Sequence, residues 1–188
     1  GGSFDPVSRI PAPNRKDMIT LGADVAVSRY EKGYFEFASS VNDINLFSDL
    51  NSEDDQGNAF RVGFSSEERP LGFMKGYKLD MDVNYEYNNA YFNPIDRFRY
   101  IEFNRDWNYR PAVLQDNTEE NILTVSAAIA RDRNNRFSYR LVNRRRGVYV
   151  DGFQHYAELN KGLGRLQFEG DAFVMNNTTA LQDADWRR

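Results

Sequence analysis

The run Tyr77-Lys78-Leu79-Asp80-Met81-Asp82-Val83-Asn84-Tyr85-Glu86-Tyr87 alternates without a break. Tyr77, Leu79, Met81, Val83, Tyr85 and Tyr87 share one parity; Lys78, Asp80, Asp82, Asn84 and Glu86 share the other. Successive strand side chains point to opposite faces, so this period of two predicts a β-strand with one apolar and one wet face. The same signal recurs from Met18 onward, where Ile19, Leu21, Ala23, Val25 and Val27 oppose Thr20, Asp24 and Ser28. Tyr34 to Val41 and Ile44 to Leu50 read as shorter strands, Asn51 to Asn58 as an exposed turn reversing at Gly57-Asn58, and Phe60, Val62 and Phe64 as a restart of the alternation.

Downstream, strands are predicted over Ile122 to Arg131, Arg136 to Arg144, Val148 to Leu159 and Leu163 to Met175. Turns are expected at Asn134-Asn135, Arg146-Gly147 and Asn160-Lys161-Gly162, with Gly162-Leu163-Gly164 a hairpin signal. Short connections favour antiparallel neighbours. Helical periodicity is nearly absent, with at most one turn over Asp116 to Asn121. The expectation is an all-β antiparallel meander of about eight to ten strands, barrel-like or a sandwich, since a sheet of that size tends to curl, split or close. A proline-bearing lead-in is expected over residues 1–17, one β domain over 18–177 and a tail over 178–188.

Composition narrows the functional classes. The chain has 188 residues and no cysteine, so disulfides and thiolate metal sites are excluded, and one histidine, His155, excludes multi-histidine zinc centres. The net charge of −4 gives no reason to expect a nucleic-acid partner. No apolar run approaches the length of a transmembrane helix. Gly1-Gly2-Ser3 reads as an added linker rather than a signal peptide, which suggests an excised or mature segment of a longer protein.

The Tyr77 to Tyr87 strand is aliphatic in its middle and aromatic at its ends, the distribution of a lipid-facing strand in an outer-membrane barrel. Arg140 and Arg144 share parity with Val142, so in such a barrel that face would be the wet one; Trp186-Arg187-Arg188 lacks the terminal aromatic usual in bacterial barrels. The segment Arg97-Phe98-Arg99-Tyr100-Ile101-Glu102-Phe103-Asn104-Arg105-Asp106-Trp107-Asn108 resembles strand-and-loop segments of large cell-surface and outer-membrane β proteins of Bacteroidetes-type bacteria. Ile10-Pro11-Ala12-Pro13 and Asn45-Leu46-Phe47-Ser48-Asp49-Leu50 are similar to the same group. The resemblance covers about the first 110 residues and implies an envelope location and a larger parent protein, without an activity.

Two constellations are candidate sites. Asp49, Asn51, Glu53 and Asp55 place hard oxygen ligands at every second position, a spacing that suits calcium, although the glycine and closing glutamate of an EF-hand loop are out of place; the competing reading is a solvated hairpin tip. Arg97, Arg99, Arg105 and Trp107 would share a face if their segment were extended, and guanidinium groups beside rings bind carboxylates or sugars; the competing reading is cross-strand ion pairing. Asp80 and Asp82 are about 7 Å apart at strand rise, an inverting-glycosidase separation that any acidic strand satisfies. His155 could be oriented by Asp151, but no nucleophile accompanies it, and the favoured reading is a hydrogen-bonded sheet histidine; Arg144-Arg145-Arg146 reads as a charged turn.

The reading these residues support is a non-enzymatic structural or adhesive β domain of the bacterial cell envelope, part of an outer-membrane protein, with an envelope protein, glycan or lipid as partner. The alternatives are a soluble carbohydrate-binding or carbohydrate-active β-sandwich using Trp107, Tyr85 and Tyr91, and a lipid-binding barrel with Leu79, Met81 and Val83 turned inward.

Overall fold

A computed structural model describes residues 13–44, 46–47, 55–109, 117–178 and 183–187. The strands are β1 (Arg15–Ala26), β2 (Glu31–Asp43), β3 (Gln56–Pro70), β4 (Lys78–Asn88), β5 (Glu120–Asp132), β6 (Asn135–Arg146), β7 (Val150–Leu163), β8 (Leu166–Thr178) and β9 (Asp183–Arg187). They form one antiparallel sheet in chain order, β1 through β9, so the expected all-β meander is observed. Among the described residues the sheet neither closes into a barrel nor splits into two layers: β1 and β9 are its edges. The one helical element described is a 3-10 turn, Arg105–Trp107.

Several local expectations are corrected. Gly57 and Asn58 lie inside β3, paired with Ser40 and Ser39, because glycine is needed there for a close approach rather than a reversal: a Cβ on Gly57 would collide with the backbone of Phe92. Lys161 and Gly162 continue β7, and the hairpin turns instead at Gly164, whose φ of 63° is the left-handed conformation glycine adopts without strain. Ile44 is in a bend and Leu46 and Phe47 in a turn, with the Leu46 N–H donating to the Pro13 carbonyl, so no strand covers the described part of Ile44 to Leu50. β1 starts at Arg15, within the expected lead-in, and Asp183–Arg187 pairs with β8, within the expected tail.

The register sorts side chains onto two faces. On one, Leu21, Phe37, Phe60 and Tyr87 lie opposite one another, as do Ala23, Phe35, Val62, Tyr85 and Leu123, and Val25, Phe64, Val83, Val125 and Leu141 in the next rows. Leu79, Ile129, Phe137 and Leu159 continue this apolar surface toward β8, where Phe168, Ala172 and Val174 complete it. The other face carries Lys32, Tyr34 and Glu36, then Arg61, Asp82, Asn84 and Glu86, then Arg136, Arg140, Arg144, Glu158 and Asp171.

Burial runs opposite to this polarity. Ile19, Leu21 and Val25 are 69%, 66% and 61% exposed, and Phe35, Val62, Phe137, Leu159 and Phe168 are also exposed. The buried apolar side chains Ala59, Ile122, Ala128, Val150 and Met175 all belong to the polar face, where residues 89–109 cover one end of the sheet. The two ends of the strands also differ. The connections 27–30, 71–77, 133–134 and 164–165 lie at one end; the long segments 44–55 and 89–119 lie at the other, together with the short connections 147–149 and 179–182.

Candidate functional site

Residues 89–109 leave β4 and return across the polar face as a strap. The Asn89 amide N–H donates to the Asn58 carbonyl (2.9 Å), and the Asn93 N–H donates to the Ser40 hydroxyl on β2 (3.0 Å). Arg99 reaches Glu86 on β4 (2.7 Å) and stacks over the rings of Phe98 and Phe103 at 4.6 and 4.7 Å. The chain then tightens into the 3-10 turn, which ends at Asn108 with φ 53°, a left-handed position that asparagine tolerates. Beyond it, the Asn177 amide on β8 donates to the Trp107 carbonyl, and the Gln154 amide on β7 donates to the Asp106 carbonyl (3.1 Å). The strap is thus fixed to strands from β2 to β8.

Its anchor is an ion pair under aromatic rings. Arg144 is 1% exposed; its Nε and Nη2 both donate to Glu120 Oε1 (2.8 and 2.6 Å), and Nη2 also donates to Asn104 on the strap (2.8 Å). The guanidinium lies 4.4 Å from the Phe103 ring centre, 5.5 Å from Tyr109 and 5.9 Å from Trp107. Glu120 also faces Arg99 and Arg146, each at 3.7 Å. Trp107, Tyr109 and Val150 form the buried cluster around this pair. Burying two charges is expensive unless each is paired and hydrogen-bonded; Glu120 and Asn104 supply this at Nε and Nη2 and the ring faces surround the guanidinium, while Nη1 is buried without a hydrogen-bond partner among the described residues. Partial burial of the Tyr100 phenol, and then its hydrogen bond to Asp106 (2.8 Å), push that group up to about 12.

The four residues expected to share an extended face do not, because their segment is turned rather than extended. Arg99 and Trp107 converge on the Arg144 node, Trp107 buried rather than available as a surface platform. Arg105 is on the surface beside Glu102 (2.8 Å), and Arg97 is exposed on the strap. Asp49, Asn51 and Glu53 lie outside the described residues; Asp55 is in the bend before β3, its carbonyl accepting from the Asn42 N–H. Among the described residues no three Asp, Glu or His side chains are grouped as a metal would require. Asp80 accepts from the Glu68 N–H (2.7 Å), and Asp82 lies 3.4 Å from the Tyr34 hydroxyl.

His155 is a hydrogen-bonded sheet histidine, as the favoured reading expects, and its partner is not Asp151. Tyr139, across the strand pair, is 2.8 Å from Nδ1, while Asp151 pairs with Arg145 (3.3 Å). Arg144 and Glu120 were not singled out as partners. The available signal was parity: both lie on the wet face, and Glu120 opposes Arg146, which makes Arg144 its diagonal neighbour. Leu79, Met81 and Val83 lie on the apolar face and line none of the cavities beneath the strap.

The apolar face has an ordered border. Its charged side chains, among the described residues, fall near strand ends: Arg15, Asp17, Glu31, Asp43, Arg69, Asp132, Arg145, Asp151 and Lys161, with Arg187 of the short edge strand β9 opposite Val174. Between them His155 is the one charge-capable imidazole, hydrogen-bonded to Tyr139. Tyr85 and Tyr87 direct their hydroxyls to the border residues Asn121 (2.6 Å) and Glu119 (2.9 Å). Comparison with family models, with curated proteins and with solved structures returns no match, so the faces and the strap carry the functional reading.

Proposed function

We propose that this chain is a wall segment of an outer-membrane-type β-barrel in the bacterial cell envelope, with a structural rather than catalytic role. The observation that carries this reading is the exposed apolar band, which is continuous across eight strands and runs obliquely to them. Following the pairing from Gly22, the middle of the band on β1, leads to Asn177 on β8, whereas the band on β8 is centred near Asp171. A displacement of about six residues at ~3.4 Å each, over seven gaps of ~4.8 Å, corresponds to strands tilted about 30° to the band normal. Membrane barrels tilt their strands by a comparable ~35–45° to keep a level hydrocarbon belt.

The size of the band supports the same reading. Eight strands and about 25 Å of apolar rows give a face on the order of 800 Å², beyond the ~300–600 Å² of the largest patch on a typical soluble monomer. Charges concentrated near the strand ends, tyrosine hydroxyls directed there and a polar opposite face accord with a barrel wall. In a bilayer the backbone groups along β1 and β9 need partners, so this reading requires further strands beside both edges. The resemblance of 97–108 to envelope β proteins accords with a larger parent.

The test is size exclusion of the purified chain with and without detergent. The proposal expects a discrete species in detergent and aggregation in plain buffer. A stable monomer in plain buffer, failing to associate with phospholipid vesicles, would sink it.

A further inference from the structure

The strap does not lie flat on the whole polar face. Over β1, β2 and β3 it stands off and encloses an open cleft of about 830 Å³, within the ~300–1,000 Å³ range of small-molecule sites. Met18, Ala38 and Ala59 form apolar floor, and Phe92, Ile95 and Phe98 form the facing wall. Elsewhere on this face the apolar side chains Ile122, Ala128, Val150 and Met175 are buried, whereas the wall of this cleft is open. Ile95 and Phe98 are exposed, at 50% and 55%, although they sit on the covered side of the sheet.

The charges around the cleft are divided into two sets. Arg61 is held by Glu36 (3.6 Å) and Arg99 by Glu86 (2.7 Å), so both guanidiniums are neutralised by strand carboxylates. Asp96 and Arg97 also line the cleft, and neither has an ion-pair partner among the described residues. One free carboxylate and one free guanidinium, adjacent on an apolar wall, complement a molecule that has an acyl chain and both charges in its head.

We infer that this cleft binds a single-chain zwitterionic amphiphile of the alkyl-phosphoethanolamine class, its phosphate on Arg97, its ammonium on Asp96 and its chain between Ala38 and Ile95. A bidentate guanidinium–phosphate contact and a carboxylate–ammonium contact fix the head, and burial of the chain supplies the affinity. The site is on the face opposite the apolar band, so it stands whether or not that band contacts lipid.

The experiment is photo-crosslinking of the chain with a lysophosphoethanolamine carrying a diazirine in its tail, followed by peptide mapping, in bilayers and at submicellar concentration in buffer. Adducts at Ile95, Phe98 and Ala38 are expected in both. Ala38→Phe, which fills the cleft, should abolish them. Asp96→Asn with Arg97→Gln should lower them at least fivefold for the zwitterion and leave a neutral alkylglycerol probe of equal tail unchanged. Circular dichroism of both variants verifies that the sheet is intact. Adducts confined to Ile19, Val25, Phe35 and Val62 would overturn the assignment, as would strap adducts indifferent to Ala38→Phe. Strap labelling without vesicle association would sink the barrel-wall reading alone.

Discussion

The two faces of one sheet treat the same kinds of residue in opposite ways. On one face Ile19, Leu21, Val25 and Phe35 are exposed and nothing among the described residues packs over them. On the other, Arg144, Glu120, Asn177 and Val150 are buried against Trp107 and Tyr109 of the strap. A soluble antiparallel sheet covers its apolar face and wets the other. This sheet covers the polar one, so the core that holds its fold together is an ion pair in an aromatic setting, and the apolar surface remains available to another phase. On the proposed reading, polarity separates what stabilises the chain from what the chain meets.

The largest effect expected from breaking this contrast is at the strap anchor. Arg144→Ala leaves the Glu120 carboxylate buried beside fewer cations and should cost about 3–5 kcal/mol, whereas replacing both, Arg144→Met with Glu120→Gln, recovers much of that loss. Urea titration measures both, and limited proteolysis within 89–109 should accelerate only in the single variant. Next comes the apolar band. Val125→Arg should cost about 2–4 kcal/mol in a bilayer, against at most about 1 kcal/mol for Thr124→Arg one residue away on the wet face. Equal penalties would remove the distinction between the faces.

A smaller effect sharpens the account of the strap's seat. Gly57→Ala should destabilise by about 1–3 kcal/mol because the new methyl meets Phe92 backbone; the same change at Gly170, where a Cβ meets nothing within 4 Å, should not. The smallest concerns the polar pair within the apolar band. Tyr139→Phe removes the hydroxyl beside His155 and should cost about 0.5–1.5 kcal/mol, read as a shift in the urea midpoint with an unchanged slope.

The alternation from Tyr77 to Tyr87 was legible because a period of two is local, and it located β4 within one residue at each end. The same period located β1, β3 and β5 to β8. What the sequence did not disclose depends on contacts distant along the chain. Gly57 reads as a turn residue until Phe92 is seen crossing it, and Gly162 is indistinguishable from Gly164 until pairing with β8 selects one. The 97–107 segment alternates enough to suggest a strand, yet Asn104 and Asn108 at the borders of its 3-10 turn were the local sign of a fold-back. Of the site, Arg99 and Trp107 were found by residue type; Arg144 and Glu120, 24 positions apart, needed the β5–β6 register.

The central claim is that the Leu79, Met81, Val83 and Tyr85 face meets lipid while the Asp80, Asp82, Asn84 and Glu86 face does not. The absence of cysteine makes the chain ready for single-cysteine nitroxide scanning over Lys78–Asn88 in bilayers. The account predicts collision rates with oxygen and with a polar nickel chelate that alternate out of phase with a period of two, oxygen highest at 81 and 83. Equal nickel access at both parities, or no alternation, would contradict it.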